Sequence, residues 1–139
     1  MKSRWQRFVF QRAGGHCEYC LIHQDHDDLP HHMDHIVARK HGGLTIEANL
    51  SLACANCSLG KGPNIAALDH SSQQLTRLFN PRTDAWEEHF RWRGPKLTGR
   101  SAIGRATISV LNINQRSRVE LRRCLMEIGR FPPPLPLTG

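Results

Sequence analysis

His32-Met33-Asp34-His35-Ile36 is the stretch on which the fold turns, and it is bracketed by Cys17-Glu18-Tyr19-Cys20 and Cys54-Ala55-Asn56-Cys57. Two Cys-x-x-Cys pairs supply four thiolates, the set that a closed tetrahedral zinc site needs. Each pair aims two sulfurs at one metal from a single tight turn. The spacing therefore predicts a structural zinc that ties the N-terminal segment to a later one. Two disulfides, four free buried thiols and an iron site of the same spacing are the alternatives. Inside the bracket, a carboxylate stands next to a histidine. Alternation along a strand sends Asp34 and His35 to opposite faces unless the strand bends. That pairing fits a hard oxygen ligand for a divalent cation beside a base.

Around this centre the element pattern is mixed. Arg4 to Ala13 reads as a helix with Trp5, Phe8, Val9 and Arg12 at helical spacing, stopped by Gly14-Gly15. Gln24 to Pro30 reads as an acidic loop. His32 to Ala38 and Asn49 to Ala53 read as two short strands, followed by a short helix carrying Cys57, Ser58 and Lys61. After Pro63 the character changes. Ile65–Leu68 and Leu75–Phe79 read as one hairpin, and Phe90–Arg93 with Lys96–Thr98 as another. Asp84, Ser101 and Ser117 are expected to cap helices running to Phe90, Leu111 and Ile128. Pro132 to Pro136 is an extended tail. Trp86, Phe90 and Trp92 are expected in the core of this second part, and Cys124 as a packed or partly exposed thiol.

The expected organisation is a zinc-stapled unit over residues 1–64 and a basic extension over residues 65–139 packed on it. The chain of 139 residues has 19 Lys+Arg against 12 Asp+Glu, a formal charge of +7. Seven basic and seven acidic residues fall in 1–70, twelve basic and five acidic in 71–139. The excess therefore belongs to the extension. Fifteen of the basic residues are Arg, the side chain suited to bidentate phosphate contact. A sequence pI near 9.7 points to a polyanionic partner. Arg39, Lys40, Lys61, Arg91 and Arg93 are the candidate phosphate contacts, Lys61 alternatively lining the site and the last two sharing one face of a strand. No apolar run is long enough to span a bilayer. No apolar stretch follows the basic N-terminus, so no secretory signal is expected and a cytoplasmic location is.

The elements Cys17-Glu-Tyr-Cys20, Asp34-His35-Ile36, Gly42-Gly43, Asn49-Leu50, Cys54-x-x-Cys57 and Lys61-Gly62, in this order, resemble the HNH endonuclease family of the zinc-stapled kind. The resemblance covers roughly Cys17 to Asn64. Leu78-Phe-Asn-Pro-Arg82 and Trp86-Glu-Glu-His-Phe90 look like the extension of small stand-alone bacterial members. The resemblance implies an α+β fold with a ββα-metal (His-Me finger) core, a four-cysteine zinc site and a mixed hairpin/helix C-terminal extension. It implies a DNA endonuclease that hydrolyses phosphodiester bonds. In that reading Asp34 binds a catalytic Mg²⁺ or similar divalent cation. His35 is the general base, and Asn49 braces the loop that orients it. The substrate would be DNA in double-stranded form. Cutting both strands would take two sites, hence a homodimer.

The chemistry fits on its own terms. An ordinary imidazole titrates near 6.5 and accepts a proton at physiological pH. A divalent ion neutralises phosphate charge and stabilises the leaving oxygen. One position departs from the family pattern. The residue after the last knuckle Cys is usually His or Asn and serves as the second ligand of the catalytic ion; here it is Ser58. A hydroxyl is shorter and a weaker ligand, though Mg²⁺ tolerates a bridging water. His32 could face the same side as Asp34. Ser58 thus implies a weakened activity. The competing readings are a non-catalytic zinc-containing DNA-binding module and a protein-interaction domain. A zinc deaminase is disfavoured, because no Pro precedes Cys17 or Cys54.

Overall fold

The computed structural model describes residues 2–137. Helix α1 (Arg4–Arg12) opens on a capping box: the Ser3 hydroxyl accepts from Gln6 N, and the Gln6 side chain accepts from Ser3 N. Its apolar face, Val9 with Trp5 and Phe8, packs on Leu50, Leu52 and Met33 to make a small core. Strands β1 (His32–His35) and β2 (Leu50–Ala53) form an antiparallel pair with Asp34 opposite Ser51 and His35 opposite Leu50. Helix α2 (Ala55–Lys61) follows directly, so β1, β2 and α2 make the expected ββα unit.

The first strand is shorter than the sequence pattern predicts. It ends at His35 because Val37 gives both backbone groups to the Asn49 side chain instead of to a strand partner. The chain then turns through a short 3-10 segment over Arg39–His41. Gly43 is required where that turn closes. A Cβ there would lie 1.7 Å from the Val37 carbonyl oxygen.

The remainder forms two more hairpins and three helices: β3 (Ala66–Asp69) with β4 (Gln74–Arg77), α3 (Trp86–His89), β5 (Phe90–Arg93) with β6 (Lys96–Gly99), α4 (Ala102–Leu111) and α5 (Arg116–Glu127). Both hairpins stand as the sequence predicts. Ser101 caps α4 by accepting from Gly104 N. Two expected caps are corrected. Asp84 does not cap α3, which starts after Ala85 with no side-chain cap. Its carboxylate instead takes the Arg77 guanidinium and Asn80 N. Helix α5 starts at Arg116 rather than after Ser117, again without a side-chain cap.

Residues 17–57 and the extension share one continuous core. Cys17, Tyr19, Cys20, Ile22 and Cys54 pack with Phe79, Phe90, Leu97, Leu111 and Leu125. Trp86 and Trp92 lean on this core, as expected. Polar links cross the same boundary. Trp86 Nε1 donates to Tyr19 O at 2.9 Å, Arg118 pairs with Asp27, and Arg82 pairs with the buried Glu18. Helices α2 and α4 touch at Gly60, where a Cβ would lie 2.7 Å from Leu111 O.

Candidate functional site

The four cysteines converge. Cys17 and Cys20 come from the turn after α1, Cys54 from the N-cap of α2 and Cys57 from its first turn. All are buried, and their sulfurs lie within 4.8 Å of one another. Cys20 N points at Cys17 Sγ and Cys57 N at Cys54 Sγ, the same arrangement in both knuckles. Zn–S bonds of about 2.3 Å place tetrahedral sulfurs about 3.8 Å apart, and Cys20 Sγ and Cys54 Sγ are 3.7 Å apart. The sulfur set therefore fits a zinc ion. Hydrogen bonding from Cys17 holds Cys20 and Cys54 below the ordinary thiol range. Burial pushes Cys17 well above it. Cys124 stands apart and exposed on α5.

Asp34 and His35 are the last two residues of β1, paired with Ser51 and Leu50 of β2. The Asp34 carboxylate lies against the start of α2. Burial raises its pKa above the usual carboxylate value, and the Ser58 hydroxyl, His32, Lys61 and His35 pull it back. The α2 turn that places Ser58 is held by Ser58 N donating to Cys54 O at 2.8 Å. The last knuckle cysteine, Cys57, and Ser58 are therefore consecutive on α2. A carboxylate beside a hydroxyl is a hard-oxygen donor pair of the kind a divalent cation such as Mg²⁺ takes, with water completing its shell.

His35 is oriented from two directions. Its Nε2 is 2.8 Å from Thr45 Oγ1. Asn49 clamps the connecting loop: Oδ1 accepts from Val37 N at 2.9 Å, while Nδ2 donates to Val37 O at 3.0 Å and to Leu44 O at 2.9 Å. These three bonds fix the residues on either side of the turn that follows His35.

Lys61, expected either to contact phosphate or to line the site, is 2% exposed and lies inward. Its Nζ donates to His35 O at 3.4 Å. Burial lowers its pKa, and the Asp34 carboxylate opposes that shift. Arg39 and Lys40 are exposed on the turn beyond His35. Arg91 and Arg93 are exposed on β5, with Phe90 and Trp92 directed to the core.

Half of the extension's twelve basic residues are engaged within the protein. Arg77, Arg82, Arg105, Arg118 and Arg123 are all in ion pairs. Arg122 is fully buried. This narrows the surface left for a polyanion.

Three contributors are not legible as site residues in the sequence. Thr45 reaches His35. Glu18 accepts from Leu52 N at 2.8 Å and so holds β2 to the first knuckle. Arg12 donates to Leu50 O and Glu47 O, bracing the start of β2. Only Glu18 carries a signal, its place between two knuckle cysteines.

Residues 17–63 match the family model described as HNH endonuclease. No curated protein and no solved structure gives a match.

Proposed function

From the HNH endonuclease domain that the chain carries at residues 17–63, we propose that this protein is a divalent-metal-dependent endonuclease that hydrolyses phosphodiester bonds in double-stranded DNA. The supporting observation is the convergence of Asp34 and Ser58 from β1 and α2, one residue from a braced His35. Asp34, with Ser58 directly or through water, would hold the Mg²⁺-type ion. That ion supplies charge neutralisation at the scissile phosphate and at the leaving oxygen.

The chain's own residues do the rest. His35 takes the proton from the attacking water with the ring nitrogen not engaged by Thr45. Thr45 fixes the ring's rotation, and Asn49 fixes the loop from which Thr45 projects. Lys61 adds positive charge behind Asp34 and holds the His35 carbonyl, which restrains the end of β1. Arg39 and Lys40 beside the site, and Arg91 and Arg93 on β5, contact backbone phosphates. Ser58 gives the ion a weaker shell than His or Asn would, so the chemical rate is low.

The deciding experiment is a supercoiled-plasmid assay on zinc-loaded protein, titrated with Mg²⁺ and Mn²⁺. Nicking that needs the added ion and disappears in His35→Ala is the expected result. Loss of a general base costs about 10²–10⁴-fold. A metal-independent gel shift with no cleavage at any ion concentration would instead establish a DNA-binding module.

A further inference from the structure

Among the described residues, Arg122 is the largest side chain with no solvent exposure. It lies on α5, in the extension, outside the matched segment. Its hydrogen bonds go to neutral groups: Nε donates to Pro95 O at 2.8 Å and Nη2 to Asn114 Oδ1 at 3.1 Å. The guanidinium lies over the Trp92 ring, 5.2 Å from its centroid. Nη1 is buried with no hydrogen-bond partner. No carboxylate among the described residues pairs with it. By contrast Arg118, one turn earlier, is paired with Asp27 at 2.7 Å.

A buried cation without a counter-charge is costly, of the order of several kcal/mol. A balancing negative charge is therefore expected nearby, and the cysteine cluster is where it can arise. Leu125, one turn beyond Arg122, packs in the same core as Cys17, Cys20, Cys54 and Cys57. Burial lowers the Arg122 pKa, and Cys20, Cys57 and Cys54 lie near enough to oppose that shift; Arg118, on the preceding turn, faces Cys54 and Cys20 as well. Four thiolates around one Zn²⁺ leave a net double negative charge in a dry core.

We propose that Arg122 is the charge partner of the tetrathiolate zinc centre, so that the metal site is completed by the C-terminal extension. The zinc unit and the extension are then linked thermodynamically. Zinc stabilises the docking of α5, and docked α5 tightens zinc, by the same factor in each direction. The arginine acts through the sulfurs and does not ligate. Its neutral hydrogen bonds to Pro95 and Asn114 fix it against the core that contains the cysteines and tie the β5–β6 turn to the same side chain.

The test uses the full chain and zinc itself, with affinity read by competition against a chromophoric chelator. Arg122→Met and Arg122→Gln are expected to weaken zinc about 10–100-fold, the usual effect of losing a group that supports the ligands. Arg122→Lys should keep most of the affinity. Arg123→Gln, which touches only exposed Glu120 and Glu127, should keep all of it. Leu125→Ala disturbs the same packing without changing charge and should weaken zinc less than either neutral variant. Wild-type affinity in a folded Arg122→Met, or an equal loss in Leu125→Ala, would overturn the proposal. Should neither neutral variant fold, hydrogen exchange on the wild-type protein decides. Zinc removal is expected to release α5 more than α1, which packs on a separate core; an equal or smaller loss in α5 overturns it.

Discussion

Asn49 holds Val37 by both of its backbone groups: Oδ1 accepts from Val37 N at 2.9 Å, and Nδ2 donates to Val37 O at 3.0 Å. A side-chain amide here does the work of a strand partner, and it does so for the first residues after His35. A third bond, to Leu44 O, closes the loop from the other end. Asn49→Ala should therefore cost activity more than stability. It removes three bonds from a partly exposed loop, about 1–3 kcal/mol in all. Nicking should fall at least tenfold while the far-UV spectrum and zinc content stay unchanged. Asn49→Asp keeps the acceptor for Val37 N but loses both donors, so it should also fail. Full activity in the Asp variant would show that the two donated bonds do not orient the base.

Ser58 sets the strength of the ion's shell. It stands beside Asp34 on the first turn of α2, close behind the knuckle cysteines. Replacing it with His or Asn supplies a longer, stronger ligand from the same backbone position. Ser58→His and Ser58→Asn are expected to raise metal-dependent nicking and to lower the ion concentration at half-maximal rate. Unchanged rates in folded, zinc-loaded variants would remove Ser58 as the weak point of the site.

Arg91 and Arg93 present two exposed guanidinium groups on one face of β5, whereas most arginines of the extension are engaged internally. The double substitution to Gln should weaken duplex binding without changing the fold, since neither side chain enters the core. Each phosphate contact contributes about 0.9 to the slope of log affinity against log salt. A slope lower by about 2 is expected by fluorescence anisotropy across a salt series. An unchanged slope would place the duplex on another face.

Asp69 predicts the acid behaviour of the extension. Its buried carboxylate takes Arg105 Nε at 3.0 Å and Nη2 at 2.9 Å, and also Ser72. The Arg105 fork holds the Asp69 carboxyl far below the usual carboxylate range. Its folded-state pKa is therefore depressed relative to the unfolded value of about 3.9. The stabilisation is present in full above that unfolded value and is lost as pH falls toward the folded one. Asp69→Asn should lower the melting temperature at neutral pH. The gap to wild type should close as pH drops below about 3. A gap independent of pH would mean that the carboxylate contributes through packing alone.

Gly43 offers a purely steric check on the same loop. Any Cβ would meet the Val37 carbonyl at 1.7 Å. Gly43→Ala must open the turn that Asn49 closes. It should reduce nicking as Asn49→Ala does, and the two changes together should cost little more than either alone. Additive losses would separate the glycine from the Asn49 clamp.

The sequence by itself determined the local units. Two Cys-x-x-Cys knuckles, a strand ending in Asp34-His35, an Asn49 strand and a capped helix at Ser101 are readable because each depends on spacing and on residues close in the chain. Hairpins at Leu68–Leu75 and Phe90–Leu97 follow from the same local alternation. What only the tertiary structure decided depends on long-range burial. Lys61 has the sequence signature of a surface cation, yet the packing of α2 against the end of β1 buries it beside Asp34. Asp84 has the chemistry of a helix cap, and Arg77 on the neighbouring hairpin takes its carboxylate instead. The charge count placed the whole excess in the extension, but counting does not show which arginines face inward. Folding pairs Arg82 with Glu18 and Arg118 with Asp27, and buries Arg122 beside the core that contains the cysteines. A charge along a chain carries no record of its partner. The partner is set when distant segments are brought into one dry core, where an unpaired charge is too costly to keep.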